Sequence, residues 1–416
     1  MLMYKFIFIL SILLTCFAGQ GKAADFVEAG ISYSLQSDST VSVAASDDGY
    51  SGFVTVPATV THDGLTYSVT GVDDRAFQSC ASLTGVALPE GLTSVGSYAF
   101  NQCSALDSVS LPSTLQEIGR FAFNQCSSLQ RIVIPEGVTD IPQGLFYMCM
   151  SLTSVTLPSQ LASIGRNGFS YCSALTTLDL PATCTTFGYS PFNGCGLKKV
   201  TLPEGTTLVP SYCFSSCHQL SEVTLPSTVD SLGACAFQDC PGLTSISLPA
   251  SLHGLGNMAF ASCMNLKSVY LPDGVVYVGN QCFYNCAGLE AATFGKGVAS
   301  LGTDIFTKYK NTAAMSLSDL YLFSNALLGG GTGFDEALYA TTTVHVPAAM
   351  VSEYQTAEGW SRFNIVAIDD YELTGITTLG RDQYSSNIPS YSLSGQRISG
   401  SAKGIYIRNG KKYIKH

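Results

Sequence analysis

Cysteine recurs at a fixed interval through the central half of this chain, and that interval constrains the fold more than any other feature. Successive cysteines lie 23 residues apart, except for one gap of 22 between Cys195 and Cys217. A phenylalanine precedes each of them by three residues. A period of this length predicts a solenoid in which each repeat forms one turn. The ten pairs are Phe77/Cys80, Phe100/Cys103, Phe123/Cys126, Phe146/Cys149, Phe169/Cys172, Phe192/Cys195, Phe214/Cys217, Phe237/Cys240, Phe260/Cys263 and Phe283/Cys286.

Each repeat contains a short segment in which apolar and polar residues alternate. In residues 152–158, Val155 and Leu157 share one face, whereas Ser154 and Thr156 lie on the other, as the two-residue period of a β-strand requires. A Leu-Pro or Ile-Pro pair closes this segment in nine of the ten repeats, and proline has no N–H to donate to a neighbouring strand. We therefore predict one strand per repeat, with its small and hydroxylated residues facing outward.

The remainder of each repeat is predicted to form the second side of the turn and then to lead the chain back to the next strand. A second apolar pair, such as Leu161 and Ile164, is usually followed by glycine, as at Gly165. Glycine suits a corner that needs either a positive φ or a close approach between backbones, and Pro142 and Pro210 replace it in two repeats. The Ala-Phe-x-x-Cys segment that follows predicts a helical turn.

Stacking is required because one such repeat cannot bury its own apolar side chains. Neighbouring turns about 4.8 Å apart would align the phenylalanines in one column and the cysteines in another. That spacing exceeds the Cβ separation of roughly 3.5–4.5 Å that a disulfide needs, so we expect free thiols that act as small hydrophobic side chains. The pattern predicts a mainly β fold, a right-handed repeat solenoid of ten units with a cap at each end.

The pattern resembles the BspA-like leucine-rich repeats found in surface proteins of host-associated bacteria and some parasites. The resemblance is close over residues 70–294. Residues 26–72 look like the cap that precedes the first repeat in that family, and residues 344–360 look like its closing unit. The resemblance implies a leucine-rich-repeat solenoid that adheres to host matrix proteins and to other cells.

The expected organisation of the chain follows from the extent of the repeat. The segments are a signal peptide (1–23), an N-terminal cap (24–72), ten repeats (73–294), an irregular repeat with the C-terminal cap (295–370), a linker (371–388) and a hairpin tail (389–416).

The N-terminus predicts export. Lys5 precedes an apolar run over residues 6–18 and small residues follow, which indicates a secretory signal peptide cleaved after Ala23. The alternative is a lipoprotein signal at Cys16, although Thr15 is larger than the residue that usually precedes an acylated cysteine. No later stretch reaches the roughly 20 apolar residues that span a bilayer. We expect an extracellular or cell-surface protein, attached to a membrane at most through an N-terminal lipid or the C-terminal tail.

The tail has a pattern of its own. Asn409-Gly410 separates two alternating segments, residues 405–407 and 412–414, which predicts a β-hairpin. Residues 391–412 also resemble tails that end exported proteins of anaerobic gut and oral bacteria, including sorting domains of the type IX secretion route. A plain hairpin and a signal for sorting or surface attachment both stay open.

Charge and spacing argue against several functions. A formal net charge of −10 and a pI near 4.9 provide no basic surface for nucleic acid. The five histidines lie far apart, none recurs at the repeat period beside a serine or an acid, and no nucleophile motif is present. We predict no enzyme activity and no cofactor.

Three motifs have a structural and a functional interpretation. Cys213-x-x-x-Cys217 offers thiolates, but a repeat spreads cysteines along a line, whereas zinc needs four converging ligands, so we predict no metal site. The aspartate pairs at residues 47–48 and 73–74 suit turns better than calcium. The glycine cluster within residues 327–333 lacks the Lys-Ser/Thr of a phosphate-binding loop and predicts a flexible insertion.

Outward strand positions form the predicted binding face. Most of them are small or hydroxylated, as a merely solvated strand face would also be, so larger neighbouring side chains are the candidates for contact energy. We expect a protein or glycan on a host or bacterial surface as the partner. The alternative is a structural scaffold of the cell envelope without a dedicated ligand. The predicted partner-binding residues are Arg131, Asp179, Lys198, Lys199, Glu222, Lys267 and Tyr270.

Overall fold

The computed structural model describes residues 22–310, 312–329 and 333–368, and the backbone of four strands between Ser390 and Lys415. The predicted signal peptide up to residue 21, residues 330–332 of the glycine cluster and the predicted linker lie outside the described residues. The chain divides into two compact units. Unit 1 comprises Met1–Leu161 with Asn167–Ala174, and unit 2 comprises Ala162–Arg166 with Leu175–His416.

Unit 1 is a β-solenoid in which each turn contributes one strand to each of two parallel ladders. One ladder is β4-β7-β9, and β11 pairs in parallel with β13. The other is β3-β6-β8-β10, which the antiparallel strands β1, β2 and β5 extend at its N-terminal end. The strands are β1 (Phe26–Glu28), β2 (Ile31–Leu35), β3 (Thr40–Val43), β4 (Gly52–Thr55), β5 (Thr59–His62), β6 (Leu65–Val72), β7 (Leu83–Ala87), β8 (Ser94–Val95), β9 (Ser108–Ser110), β10 (Glu117–Ile118), β11 (Arg131–Val133), β12 (Asp140–Ile141) and β13 (Ser154–Thr156).

Unit 2 repeats this arrangement. Its longer ladder is β21-β23-β25-β26-β27, β16 pairs with β18, β14 pairs with β15, and β17-β19-β20-β22-β24 forms the second side. The strands are β14 (Ser163–Ile164), β15 (Thr186–Phe187), β16 (Lys199–Thr201), β17 (Leu208–Val209), β18 (Glu222–Thr224), β19 (Ser231–Leu232), β20 (Gly254–Leu255), β21 (Ser268–Leu271), β22 (Tyr277–Val278), β23 (Ala291–Phe294), β24 (Ser300–Leu301), β25 (Asp319–Leu322), β26 (Thr343–Val346), β27 (Asn364–Ala367), β28 (Ser390–Ser392), β29 (Arg397–Ile398), β30 (Gly404–Arg408) and β31 (Lys411–Lys415).

The number of turns is about thirteen, not the ten that the cysteines mark. Beyond Phe294 the parallel ladder continues through β25, β26 and β27, so residues 295–368 add turns that lack the cysteine. Two short helices, α1 (Leu338–Thr341) and α2 (Val351–Thr356), and two 3₁₀ turns, Ala348–Met350 and Trp360–Arg362, accompany these last turns. No helix among the described residues has the length and apolar character to cross a membrane. In the tail, β30 pairs antiparallel with β31.

The predicted phenylalanine column is present in each unit. In unit 1 the rings from Phe77 to Phe169 stack with centroids 4.8–5.9 Å apart. In unit 2 the rings from Phe192 to Phe283 stack at 5.4–5.7 Å, and Phe306 adds one more at 5.6 Å. Each ring is fully buried, which contributes about 2–3 kcal/mol per side chain. In unit 1 the Tyr50 ring covers Phe77 at 4.5 Å and begins the column.

The predicted helical turn at Ala-Phe-x-x-Cys is wrong. In the turn around Phe100, the N–H groups of residues 98, 100 and 102 donate to carbonyl oxygens of the next turn at 2.7–2.9 Å. A helix would use those N–H groups internally. The backbone instead adopts a positive φ two residues before each phenylalanine of the column and, except at Phe306, two residues after it, as at Tyr98 (+59°) and Gln102 (+63°). All described non-glycine residues with positive φ occupy these two positions except Ala29 and Asp63.

The corner glycines serve close approach between turns. A Cβ added at Gly119 would lie 2.3 Å from the backbone nitrogen of Ser97, and one at Gly256 would lie 2.5 Å from that of Ala234. Neither glycine has a positive φ. Glycine therefore lies at these corners because the neighbouring backbone is too close for a Cβ, and not because the corner needs a positive φ.

The cysteines are free and buried in the described residues, as predicted. Their role is more specific than that of a small hydrophobic side chain. The Cys126 thiol donates to the Phe100 carbonyl oxygen of the preceding turn at 3.1 Å, and that oxygen also accepts the Cys103 N–H at 3.2 Å. The same thiol bond recurs at 2.9–3.1 Å in both units. The cysteine thus supplies a donor for the second lone pair of a buried carbonyl.

Candidate binding face

We define the strand face as the outward side of the first ladder, formed in unit 1 by β4, β7, β9, β11 and β13, and in unit 2 by β16, β18, β21, β23, β25, β26 and β27. On unit 1, Val133 of β11 lies directly beside Thr156 of β13 and exposes 63% of its surface. Arg131 is exposed and, within the described residues, makes no ion pair. The face is therefore open, as the alternation of the sequence predicts.

Phe53 adds an aromatic group to this face that sequence reasoning missed. Its ring is 62% exposed, and a Cβ added at Gly85 in the neighbouring β7 would lie 2.5 Å from it. The ring therefore lies over the bare backbone of Gly85. The signal available in the sequence was an aromatic residue two positions before Thr55 in the segment that leads into the repeats.

On unit 2, three of the predicted charged residues form ion pairs. Lys199 and Glu222 are register partners on β16 and β18, and the Lys199 Nζ lies 2.6 Å from a Glu222 carboxylate oxygen. Lys267 pairs in the same way with Glu290 at 3.0 Å. Exposed pairs of this kind contribute only about 0–1 kcal/mol to stability. Lys198 is exposed and, in the described part of the chain, forms no ion pair.

Two predicted strand segments of unit 2 form no assigned strand. Asp179 is exposed within residues 175–180, and residues 243–249 are likewise irregular. Leu178 and Ile246 nevertheless stay buried in these segments, so inward and outward positions still alternate. Neighbouring backbones do not pair in these two segments, which interrupts the ladder, although their inward side chains remain in the core.

Aromatic side chains on the strand face of unit 2 lie in one row at its C-terminal end. The register aligns Tyr270, Thr293, Tyr321 and His345 on β21, β23, β25 and β26. The Tyr321 and His345 rings stack with centroids 4.1 Å apart. His345 Nε2 lies 2.9 Å from an Asp319 oxygen. Of these residues the sequence identified only Tyr270 as a binding candidate, because β25 and β26 lie beyond the last cysteine.

Burial and charge both act on Tyr270. Partial burial raises the pKa of its hydroxyl, and the carboxylate of Asp273 raises it further. The hydroxyl is therefore protonated at neutral pH and can donate a hydrogen bond to a ligand.

One acid and histidine cluster of unit 2 has a geometry unlike that of a nucleophile site. Asp230 accepts a hydrogen bond from the Ser231 hydroxyl at 2.7 Å and lies 2.6 Å from His253 Nδ1. The carboxylate therefore stands between the hydroxyl and the imidazole. No group of three or more metal-binding side chains occurs in the residues that the structure describes. An open polar groove of about 430 Å³ lies in unit 1, between Asp73 and Glu117.

Three solved structures are similar to this chain. Among solved structures, a leucine-rich repeat protein from Bacteroides ovatus is 22% identical with a TM-score of 0.54, over 83% of this chain and 100% of that chain. The pneumococcal vaccine antigen PcpA is 18% identical with a TM-score of 0.54, over 84% and 100%. A leucine rich cell surface protein from Faecalibacterium prausnitzii is 24% identical with a TM-score of 0.46, over 78% and 97%.

The first two of these structures show a shared fold. No curated protein sequence matches the chain. Residues 70–198 and 188–313 match the BspA type leucine rich repeat region, described in six copies. Because these two overlapping stretches extend over more than half of the chain, the protein belongs to the family of BspA-type leucine-rich-repeat proteins.

Proposed function

We propose that this protein is exported, lies at or outside the cell surface, and binds a protein or glycan through its strand face without catalysing a reaction. The observation that carries the proposal is the row of outward side chains held at fixed spacing over a fully buried core, as at Lys199 beside Glu222 and Thr201 beside Thr224. A rigid array of this kind can supply a standard interface of about 800 Å² per partner. The membership of the BspA-type family supports a binding role.

A binding role also suits the chemistry of the described side chains. The exposed His253 and the half-buried Ser231 both contact the same carboxylate of Asp230 and leave no serine-to-imidazole hydrogen bond. Leucine-rich-repeat solenoids are a non-enzymatic kind of protein. We infer that the partner is retained and released unchanged.

The proposed location rests on the N-terminal sequence. The apolar run over residues 6–18 and the small residues before Ala24 suit cleavage after Ala23, whereas Cys16 offers the alternative of lipid attachment. The mass of the N-terminal peptide of the mature protein separates the two. A peptide that begins at Ala24 supports a released or tail-anchored protein, and an acylated Cys16 supports a lipoprotein.

Partner capture tests the binding role. The mature chain would be immobilised and exposed to host matrix proteins, bacterial surface proteins and glycans. Alanine at Arg131, Lys198, Glu222 and Tyr270 should weaken capture of the recovered partner by tenfold or more, because contact energy concentrates in a few large side chains. A matched variant with alanine at Arg120, off the strand face, should bind normally. Equal binding by both variants would move the interface away from the strand face.

A further inference from the structure

We propose that Tyr270 and Tyr321 form the walls of a slot on the strand face of unit 2 that holds one pyranose ring of a neutral glycan chain. The inference rests on the proposed function, because it names the ligand class and the place of contact on the same face. Neither Tyr321 nor a sugar site was identified from the repeat pattern.

The spacing of the two walls comes from the register. Tyr270 pairs with Thr293, and Thr293 pairs with Tyr321, so the tyrosines are two strands apart. At about 4.8 Å per strand, their backbones lie about 9.6 Å apart. Stacked rings take centroid distances of about 4.5–7 Å. One ring therefore fits between these two, and two rings do not.

One wall of the slot is held rigid from behind. The His345 ring lies against Tyr321 at a centroid distance of 4.1 Å and an interplanar angle of 16°, and His345 is only 8% exposed. Asp319 holds the imidazole at 2.9 Å and accepts the Ser318 hydroxyl at 2.7 Å. These contacts fix the Tyr321 ring before any ligand arrives, so little side-chain entropy is lost on binding.

The floor of the slot is small and polar. Thr293 lies between the two tyrosines, and Ala291 and Ser268 lie in the adjoining outward row. Short side chains leave the space between the rings open. The Thr293 and Ser268 hydroxyls can both donate and accept hydrogen bonds, which matches the hydroxyl groups around a sugar ring.

Polarity and charge select a neutral sugar over other ring-shaped ligands. An aromatic side chain from a partner would remove these hydroxyls from water without supplying hydrogen bonds, which is costly. An acidic sugar would need a free cation, but Lys267 is already paired with Glu290 at 3.0 Å. The Asp273 carboxylate near Tyr270 adds negative charge. A neutral pyranose stacks on both tyrosines and hydrogen-bonds with the floor.

Titration with a panel of neutral oligosaccharides tests the slot. The mature chain would be titrated with gluco-, manno-, galacto- and xylo-oligosaccharides, with tyrosine fluorescence and calorimetry as readouts. We expect at least one series to bind. Tyr321→Ala should weaken that binding by about tenfold, the loss of one stacking contact. Thr293→Phe should abolish it, because the new ring fills the slot while both tyrosines remain.

Two controls separate loss of the slot from loss of the fold. Tyr277→Ala removes an exposed tyrosine on β22, on the second side of the same unit, and should leave binding unchanged. The unfolding midpoint of Thr293→Phe should equal or exceed that of the parent protein, because an outward aromatic residue suits a strand.

The outcomes distinguish this inference from the proposed function. Binding of a protein partner that survives Tyr321→Ala and Thr293→Phe, with no neutral oligosaccharide bound, would overturn the sugar slot and leave the strand-face function in place. Oligosaccharide binding that is unchanged in Thr293→Phe would also overturn it. Failure to bind any macromolecule and any neutral oligosaccharide would refute both.

Discussion

Replacing Gln125 separately by glycine and by alanine tests the left-handed turns directly. Gln125 has a φ of +59° and lies two residues after Phe123. Its N–H donates to the Tyr147 carbonyl oxygen at 2.8 Å, and its own carbonyl accepts the Ser127 N–H at 2.9 Å. These backbone bonds hold the conformation whatever side chain the position carries. The glycine variant should therefore be more stable than the alanine variant, which reverses the usual order.

Two opposing contributions set the size of the effect. A residue with a Cβ costs roughly 1–2 kcal/mol in the left-handed region. Glycine avoids that cost but loses about 0.5–1 kcal/mol more backbone entropy on folding than alanine does. The glycine variant at position 125 should therefore exceed the alanine variant by about 0.5–1 kcal/mol. At Thr156, in the extended strand β13, only the entropy difference applies, so alanine should exceed glycine by a similar amount.

Urea unfolding followed by circular dichroism would give the four free energies of unfolding from midpoints at matched slopes. The predicted result is a change of sign between the two positions. If alanine were the more stable residue at both positions, Gln125 would not be held in the left-handed region in solution. The same reasoning would then fail for the whole column of turn residues.

Three further predictions concern the core and the buried or half-buried ionisable groups. Phe237→Ala should cost about 3–5 kcal/mol by leaving a cavity between its two stacked neighbours, whereas Thr224→Ala on the strand face should change the unfolding midpoint little. The described thiols should react only after denaturation, because burial raises the pKa of groups such as Cys149 to about 12; rapid labelling of the native protein would contradict this. Burial also raises the pKa of Asp73, so ionisation of this carboxyl destabilises the folded protein as pH rises through the usual carboxyl range. Asp73→Asn should therefore raise the free energy of unfolding at pH 7 but not at pH 3. Equal effects at both pH values would refute the assignment.

The sequence predicted the core of the fold because the core repeats. Phenylalanine and cysteine columns, one outward strand face and corner glycines all follow from a 23-residue register in which neighbouring turns present the same side chain at the same place. The extra turns were missed because β25, β26 and β27 keep the alternating strand, as in Leu320 and Leu322, but lack the cysteine and the Leu-Pro closure.

The turn conformation could not be inferred from residue types. Left-handed positions usually carry glycine or asparagine, yet here they carry residues such as Tyr98, Phe121 and Met258. Hydrogen bonds between stacked turns impose the conformation, and local preference does not oppose them strongly enough to prevent it. The identity of the residue therefore gives no warning of its φ.

For the candidate site, the sequence predicted which side chains are exposed but not which side chains contact one another. Alternation placed Arg131, Lys199 and Glu222 on the outside, where the structure also has them. The pairing of Lys199 with Glu222 follows only from the strand register. The repeat length implies this register once both residues are known to lie in strands. The stack of Tyr321 on His345 required the register beyond the last cysteine.

The recurring thiol bonds run one way along the chain, from each donor cysteine to the turn before it. Cysteines of the column such as Cys103 and Cys126 donate to a carbonyl oxygen of the turn before them, whereas the first of the column, Cys80, accepts the N–H of Tyr50 in the preceding cap at 3.2 Å. A chain that emerges N-terminus first can therefore shield each new thiol against turns already in place. In an oxidising compartment, the yield of native protein then depends on whether stacking is faster than random disulfide formation. Contacts only one turn apart in sequence favour fast stacking.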